Sequence, residues 1–198
     1  MTCWIIIPAK APPEAKGRLG GVLDQTERNA LAAAMLDAAI TAASGAEGID
    51  GLVLVGTSQL GLAAKLELLP EPEGGLNAAL TFARAELAKR GATRIISLAG
   101  DLPLVTSADV EALIAAPPGE AAIAPDRHGT GTNALSLPLP AALAFAYGYG
   151  LGSCARHKAE AARIGLTLHE IITPGLARDV DEPADLVDAQ GLLARHSI

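Results

Sequence analysis

The chain has 198 residues and a net charge of −7, a length suited to one domain and a charge that argues against general nucleic-acid affinity, which needs a basic surface. Half of it is hydrophobic but only 3% is aromatic, so the core has to come from Leu, Ile, Val and Ala, as in helices packed on an aliphatic sheet. No run reaches the about 18 apolar residues that span a bilayer, and Cys3 and Cys154 lack metal-ligand or redox spacing, so a reducing cytoplasm is expected and a membrane is not.

In chain order, residues 3–7 are short, apolar and rich in isoleucine, and read as a buried central strand closed by Pro8. Residues 9–21 follow as a loop holding Lys10, Lys16 and Arg18 among prolines and glycines. Asp24 or Thr26 caps an alanine-rich helix that runs to about residue 43. A second buried strand spans 52–55, a helix 76–89 and a third strand 95–99, the last ending in Gly100-Asp101-Leu102-Pro103. A helix is expected over 106–115 with Ser107 as its cap, then a strand at 121–124. Residues 126–132 are turn-rich and lead into a strand at 133–137. A helix over 153–165, a strand at 168–172 and a helix over 183–195 complete the chain. Strands and helices alternate, so the expected fold is α/β, one domain over 1–198, with a mainly parallel sheet flanked by helices.

Such sheets place ligands beyond the carboxyl ends of their strands, and the chemically promising residues fall there. Lys10, Lys16 and Arg18 follow the first strand without Walker A or dinucleotide-fingerprint spacing; they suit a triphosphate or a merely solvated loop. Asp101 ends the third strand, a position fit for a metal ligand or for a turn cap. Asp179 and Asp181 alternate in an extended segment, so both carboxylates share a face and suit hard Mg²⁺, although Asp181 would also serve as cap of the last helix. Gly150-Leu151-Gly152-Ser153 opens a helix whose first turn carries Arg156, His157 and Lys158. Cations are disfavoured there by the helix dipole, a misfit that a bound anion would offset. His128 and His157 have no triad or zinc spacing and read as anion-contacting or exposed.

Together these stretches resemble the 2-phospho-L-lactate guanylyltransferase family of coenzyme F420 biosynthesis. The likeness is carried by residues 7–10 and 15–19, by Gly75-Leu76-Asn77-Ala78-Ala79-Leu80 and by Asp101-Leu102-Pro103-Leu104. It continues through residues 125–135, Gly150-Leu151-Gly152-Ser153 and 179–186. The resemblance implies a GT-A-like nucleotidyltransferase fold and transfer of GMP from GTP to a small phosphorylated carboxylic acid. The acceptors it implies are 2-phospho-L-lactate, phosphoenolpyruvate or 3-phospho-D-glycerate. It assigns Lys10, Lys16 and Arg18 to the triphosphate, Asn77 to the nucleoside, and Asp101, Asp179 and Asp181 to Mg²⁺. It assigns Thr132, Gly150 and Ser153, with Arg127 and Arg156 nearby, to the acceptor. Leu151 and Cys154 depart from the proline and aromatic residue expected beside that loop. Two alternatives share the acidic strand end: a nucleotidyltransferase of molybdenum-cofactor maturation, whose glycine-rich loop after the first strand is missing, and a non-catalytic nucleotide-binding subunit. A homodimer is compatible with the sequence, but no segment specifies one.

Overall fold

The computed structural model describes residues 1–9, 16–56 and 66–196. The opening apolar run forms β1 (Cys3–Ala9), flanked on both sides by parallel partners, and it continues through Pro8 and Ala9 along one of them. One partner is β2 (Gly51–Gly56), which also pairs with β3 (Glu67–Leu69); the other is β4 (Arg94–Leu98). Beyond β4 lie β6 (Thr132–Pro138), β5 (Ala121–Pro125) and β7 (Leu168–Glu170). The described sheet order is β3-β2-β1-β4-β6-β5-β7, with β6 antiparallel to both neighbours and every other pairing parallel. The chain steps from β1 to one side for β2 and to the other for β4, which opens a crevice at the carboxyl ends of β1 and β4.

Alternation along β1 divides the core into two layers. Ile5 and Ile7 face α1 (Gln25–Gly45) and α3 (Ser107–Ile114), while Ile6 faces α2 (Gly75–Lys89) and α4 (Ser153–Arg163). Ala39, Ala43 and Leu36 on one face, and Leu80, Ala83 and Leu87 on the other, are buried against the sheet. A third cluster, built on Leu19, Leu31, Met35, Val180 and Leu192, ties the chain after β1 to α6 (Leu186–His196). The segment carrying Asp179 and Asp181 is anchored there through buried Val180, whose two acidic neighbours face the other way.

Local chemistry sets the helix ends. Asp24 accepts the Glu27 N–H at 2.9 Å and Glu27 accepts the Asp24 N–H at 2.7 Å, a reciprocal cap that starts α1. The expected Ser107 cap is replaced by Thr106, whose extended backbone and exchange of hydrogen bonds with Asp109 make Ser107 the first helical residue. The expected loop after β1 contains a 3-10 turn over Gly17–Gly21. The last helix is preceded by its own 3-10 turn, Pro183–Asp185, and Asp181 lies outside it. β3 and the short α5 (Pro174–Ala177) were not expected, and β7 ends at Glu170 rather than 172. No helix among the described residues is long and apolar enough to cross a membrane.

Candidate active site

The crevice at the ends of β1, β2 and β4 is a cavity of about 420 Å³. Ala9, Val55 and Leu98 form its apolar walls, and Lys16, Arg18, Asp101, Asp179 and Asp181 gather at its rim with Thr132, Asn133 and Tyr149.

Lys16 closes the chain's turn into this cavity with a left-handed backbone, φ 58° and ψ 38°. Its side chain is 9% exposed, and Nζ donates to Asp101 Oδ2 at 2.7 Å and Asp181 Oδ1 at 3.1 Å. Burial by itself favours the neutral amine, but the two carboxylates outweigh it and hold the ammonium above its usual pKa. Arg18, largely exposed, stands 3.9 Å from the other oxygen of Asp181. Asp179 is pushed above the usual carboxylate range, first by burial and then by the charge of Asp101, with Asp181 adding to it. Asn133 partly counters this by donating to Asp179 Oδ1 at 3.3 Å, while the same amide holds the Leu176 carbonyl at 2.9 Å.

The three acids therefore reach one cavity from β4 and the Val180 segment. Lys16 lies between Asp101 and Asp181 rather than opposite them. Among the described residues no three His, Cys, Asp or Glu side chains form a ready-made metal cage. The donor chemistry still fits a hard cation. Three carboxylates share the cavity, and one of them, Asp179, is held above its normal pKa first by burial and then by the charges of the other two.

Thr132, which also lines the cavity, opens β6 and is backed by polar groups that do not line it. Its Oγ1 lies 3.0 Å from His157 Nδ1 and accepts from Ser153 Oγ at 3.2 Å. His157 Nε2 accepts the Gly148 N–H at 2.9 Å. His157 was expected to be exposed or to touch an anion; it is fully buried between Tyr149 and Phe145. Burial, with Arg156 adding repulsion, lowers its pKa to about 4. Tyr149 closes the floor with its hydroxyl 2.8 Å from Ser97 Oγ, and burial raises its phenol pKa well above normal.

Of the remaining expectations, Lys10 lies outside the described residues. Asn77 does not line the cavity. Its Oδ1 accepts the Tyr149 N–H at 2.8 Å and its Nδ2 donates to the Tyr149 carbonyl at 3.3 Å, so the amide is committed to the 148–150 backbone. Gly150, at φ 116°, turns that backbone toward α4, and Ser153 sits buried behind Thr132. Arg127 does not line the cavity and pairs with Asp185, a buried carboxylate that also accepts the N–H groups of Asp181 and Glu182. Arg156 bonds the carbonyls of Gly148 and Leu151, and Lys158 pairs with Glu170 at 2.8 Å. The cations in the first turn of α4 are thus balanced by loop carbonyls and Glu170, where a bound anion had been expected. His128 is exposed beside Arg127.

Ser97 and Tyr149 are not singled out by the sequence, and Asn133 enters only as part of the 125–135 stretch, with no role of its own. Ser97 had a signal: a lone hydroxyl in the apolar run Ile95-Ile96-Ser97-Leu98.

The family model "Guanylyl transferase CofC like" matches residues 3–190. The chain belongs to this family. CofC-like proteins transfer guanylyl groups, and the molybdenum-cofactor alternative falls away. Among relatives, the phosphoenolpyruvate guanylyltransferase of Sphaerobacter thermophilus is 40% identical over 197 residues, covering 96% of this chain and 94% of its own. The 2-phospho-L-lactate guanylyltransferase of Halorubrum lacusprofundi is 35% identical over 186 residues, covering 93% and 82%. Solved structures share the CofC-like fold at low identity. A Desulfovibrio desulfuricans G20 chain described as a nucleotide-diphospho-sugar transferase superposes with TM-score 0.73 at 15% identity, covering 99% of both chains. A Mycobacterium tuberculosis H37Rv protein in complex with manganese gives 0.60 at 22%, covering 98% of both.

Proposed function

We propose that this guanylyltransferase joins GMP from GTP to a small phosphorylated carboxylic acid and releases pyrophosphate, as a step of coenzyme F420 biosynthesis. The candidate acceptors are phosphoenolpyruvate, 2-phospho-L-lactate and 3-phospho-D-glycerate; the names of the two relatives support the first two. The observation that carries the reading is the meeting of Lys16 and Arg18 with Asp101, Asp179 and Asp181 in one cavity at the carboxyl ends of β1 and β4.

In the reaction, an acceptor phosphate oxygen attacks the α-phosphorus of GTP, the new P–O bond forms, and the bond to the β-phosphate oxygen breaks. The nucleophile is already ionised, so no strong general base is needed. The barrier is repulsion between anions and charge growing on pyrophosphate, which positioning and fixed cations lower. Lys16 and Arg18, with Lys10, are placed in the reading as triphosphate ligands. Asp101, Asp179 and Asp181 would hold a Mg²⁺, which would supply neutralisation of phosphate charge. The manganese in the mycobacterial neighbour supports a divalent ion, and the all-oxygen donors favour magnesium. Thr132 faces the acceptor, with Ser153 and Gly150 shaping its wall. Arg127 and Arg156 serve that wall at one remove, by holding the 179–185 segment and the 148–151 loop. Two buried free cysteines fit the cytoplasm.

The test is direct: incubate the protein with GTP, Mg²⁺ and each phosphoacid, and identify the product by mass. Guanylylated product from one acid, with stoichiometric pyrophosphate, is expected. Pyrophosphate release independent of any acceptor refutes the reading.

A further inference from the structure

We propose that His157 is a positioning residue for the acceptor: it fixes the proton of the Thr132 hydroxyl so that this group enters the cavity only as a hydrogen-bond donor to an anionic oxygen. The proposal rests on the acceptor reading above and deepens it.

Proton accounting along the chain of contacts carries the inference. A backbone N–H can only donate, so the 2.9 Å contact from Gly148 requires an unprotonated Nε2 on His157. The ring is fully buried without an acidic partner at either nitrogen, and it is neutral, with its pKa lowered to about 4. A neutral ring lacking a proton on Nε2 carries it on Nδ1, and Nδ1–H then donates to Thr132 Oγ1 across 3.0 Å. Ser153 Oγ donates to the same oxygen at 3.2 Å. A hydroxyl has two acceptor lone pairs and one proton; both lone pairs are now used, and the proton is left to donate. Thr132 lines the cavity, whereas His157 and Ser153 stand behind it.

The chemical consequence is selectivity. A freely rotating threonine hydroxyl bonds an alcohol, an amine or a phosphate with similar ease. One whose lone pairs are filled offers nothing to a donor and welcomes a phosphate or carboxylate oxygen. The cavity wall is thereby preorganised for an anion without spending a cation there.

Two paired substitutions separate positioning from simple support. His157→Asn keeps a donor near the Nδ1 position and loses the acceptor for Gly148. His157→Gln keeps an acceptor near the Nε2 position and loses the donor to Thr132. We expect the Gln variant to raise the acceptor KM about tenfold and the Asn variant about threefold at most, with the GTP KM within about twofold in both. In a Thr132→Val background, His157→Gln should add nothing, because its effect runs through that hydroxyl. Equal losses, or a larger loss in the Asn variant, would mean that the ring only holds the loop, and would overturn the proposal. Should either variant fold poorly, ¹⁵N-histidine NMR of the unaltered protein decides it. An Nδ1-protonated neutral ring supports the proposal, and a proton on Nε2 overturns it. Failure of the unaltered protein to guanylylate any phosphoacid refutes the acceptor reading instead, a result independent of the histidine tautomer.

Discussion

Removing the Asn77 side chain tests whether this residue serves the nucleotide or the loop. Asn77→Ala deletes both bonds to Tyr149, the 2.8 Å bond that receives its N–H and the 3.3 Å bond that reaches its carbonyl. The shorter bond is worth about 1 kcal/mol, the longer about half of that, and leaving a part-buried N–H unpaired adds a similar amount, for a total of roughly 2 kcal/mol. In a chain of this size that corresponds to a Tm lowered by roughly 4–8 °C. Asn77→Asp keeps the acceptor for the N–H and should lose about half as much. Tyr149 bonds Ser97 in the cavity floor and precedes the Gly150 turn, so loosening it disturbs the acceptor wall first. Thermal unfolding together with steady-state kinetics should therefore show the lowered Tm and an acceptor KM raised about tenfold, with the GTP KM little changed. An unaltered Tm with a rise confined to the GTP KM would refute this reasoning and restore the nucleoside role that the resemblance suggested.

Three further outcomes follow from the geometry. His157 has a folded pKa of about 4 against an ordinary 6.5, so its neutral state stabilises the fold fully above pH 6.5 and that contribution, roughly 3 kcal/mol, drains away as the pH falls toward 4; urea unfolding at pH 7 and pH 4 should show this loss in the unaltered protein and not in His157→Gln. Asp101→Asn removes a carboxylate from the Lys16 contact and from the proposed metal site, and should cut guanylyl transfer at least about 100-fold while the protein stays folded; near-normal pyrophosphate release with the true acceptor present would contradict the metal assignment. A Cβ on Gly56 would lie 2.0 Å from the Ala9 carbonyl oxygen, so Gly56→Ala should cost about 3 kcal/mol in chemical denaturation; a loss under about 1 kcal/mol would show that the strand ends yield freely.

The sequence by itself determined what depends on neighbours along the chain. The apolar run at Ile5-Ile6-Ile7, the capped start of α1 at Asp24 or Thr26 and the alternation of strands and helices are written in local propensity and periodicity, and each appears in the fold near its expected place, with Asp24 as the cap. The ordered motifs likewise sufficed for the family and for guanylyl transfer. Partnership between distant side chains was decided only in three dimensions. Lys16 meets Asp101 from 85 residues away and Asp181 from 165. The amide of Asn77 and the guanidinium groups of Arg127 and Arg156 carry the same donors whether they face a ligand, a backbone carbonyl or a carboxylate, so their composition could not reveal that all three have partners within the chain. His157 shows this most sharply: on a helical turn rich in cations it reads as anion-contacting or exposed, and only the packing of β6 and the Tyr149 loop against α4 buries it and dictates which nitrogen holds its proton.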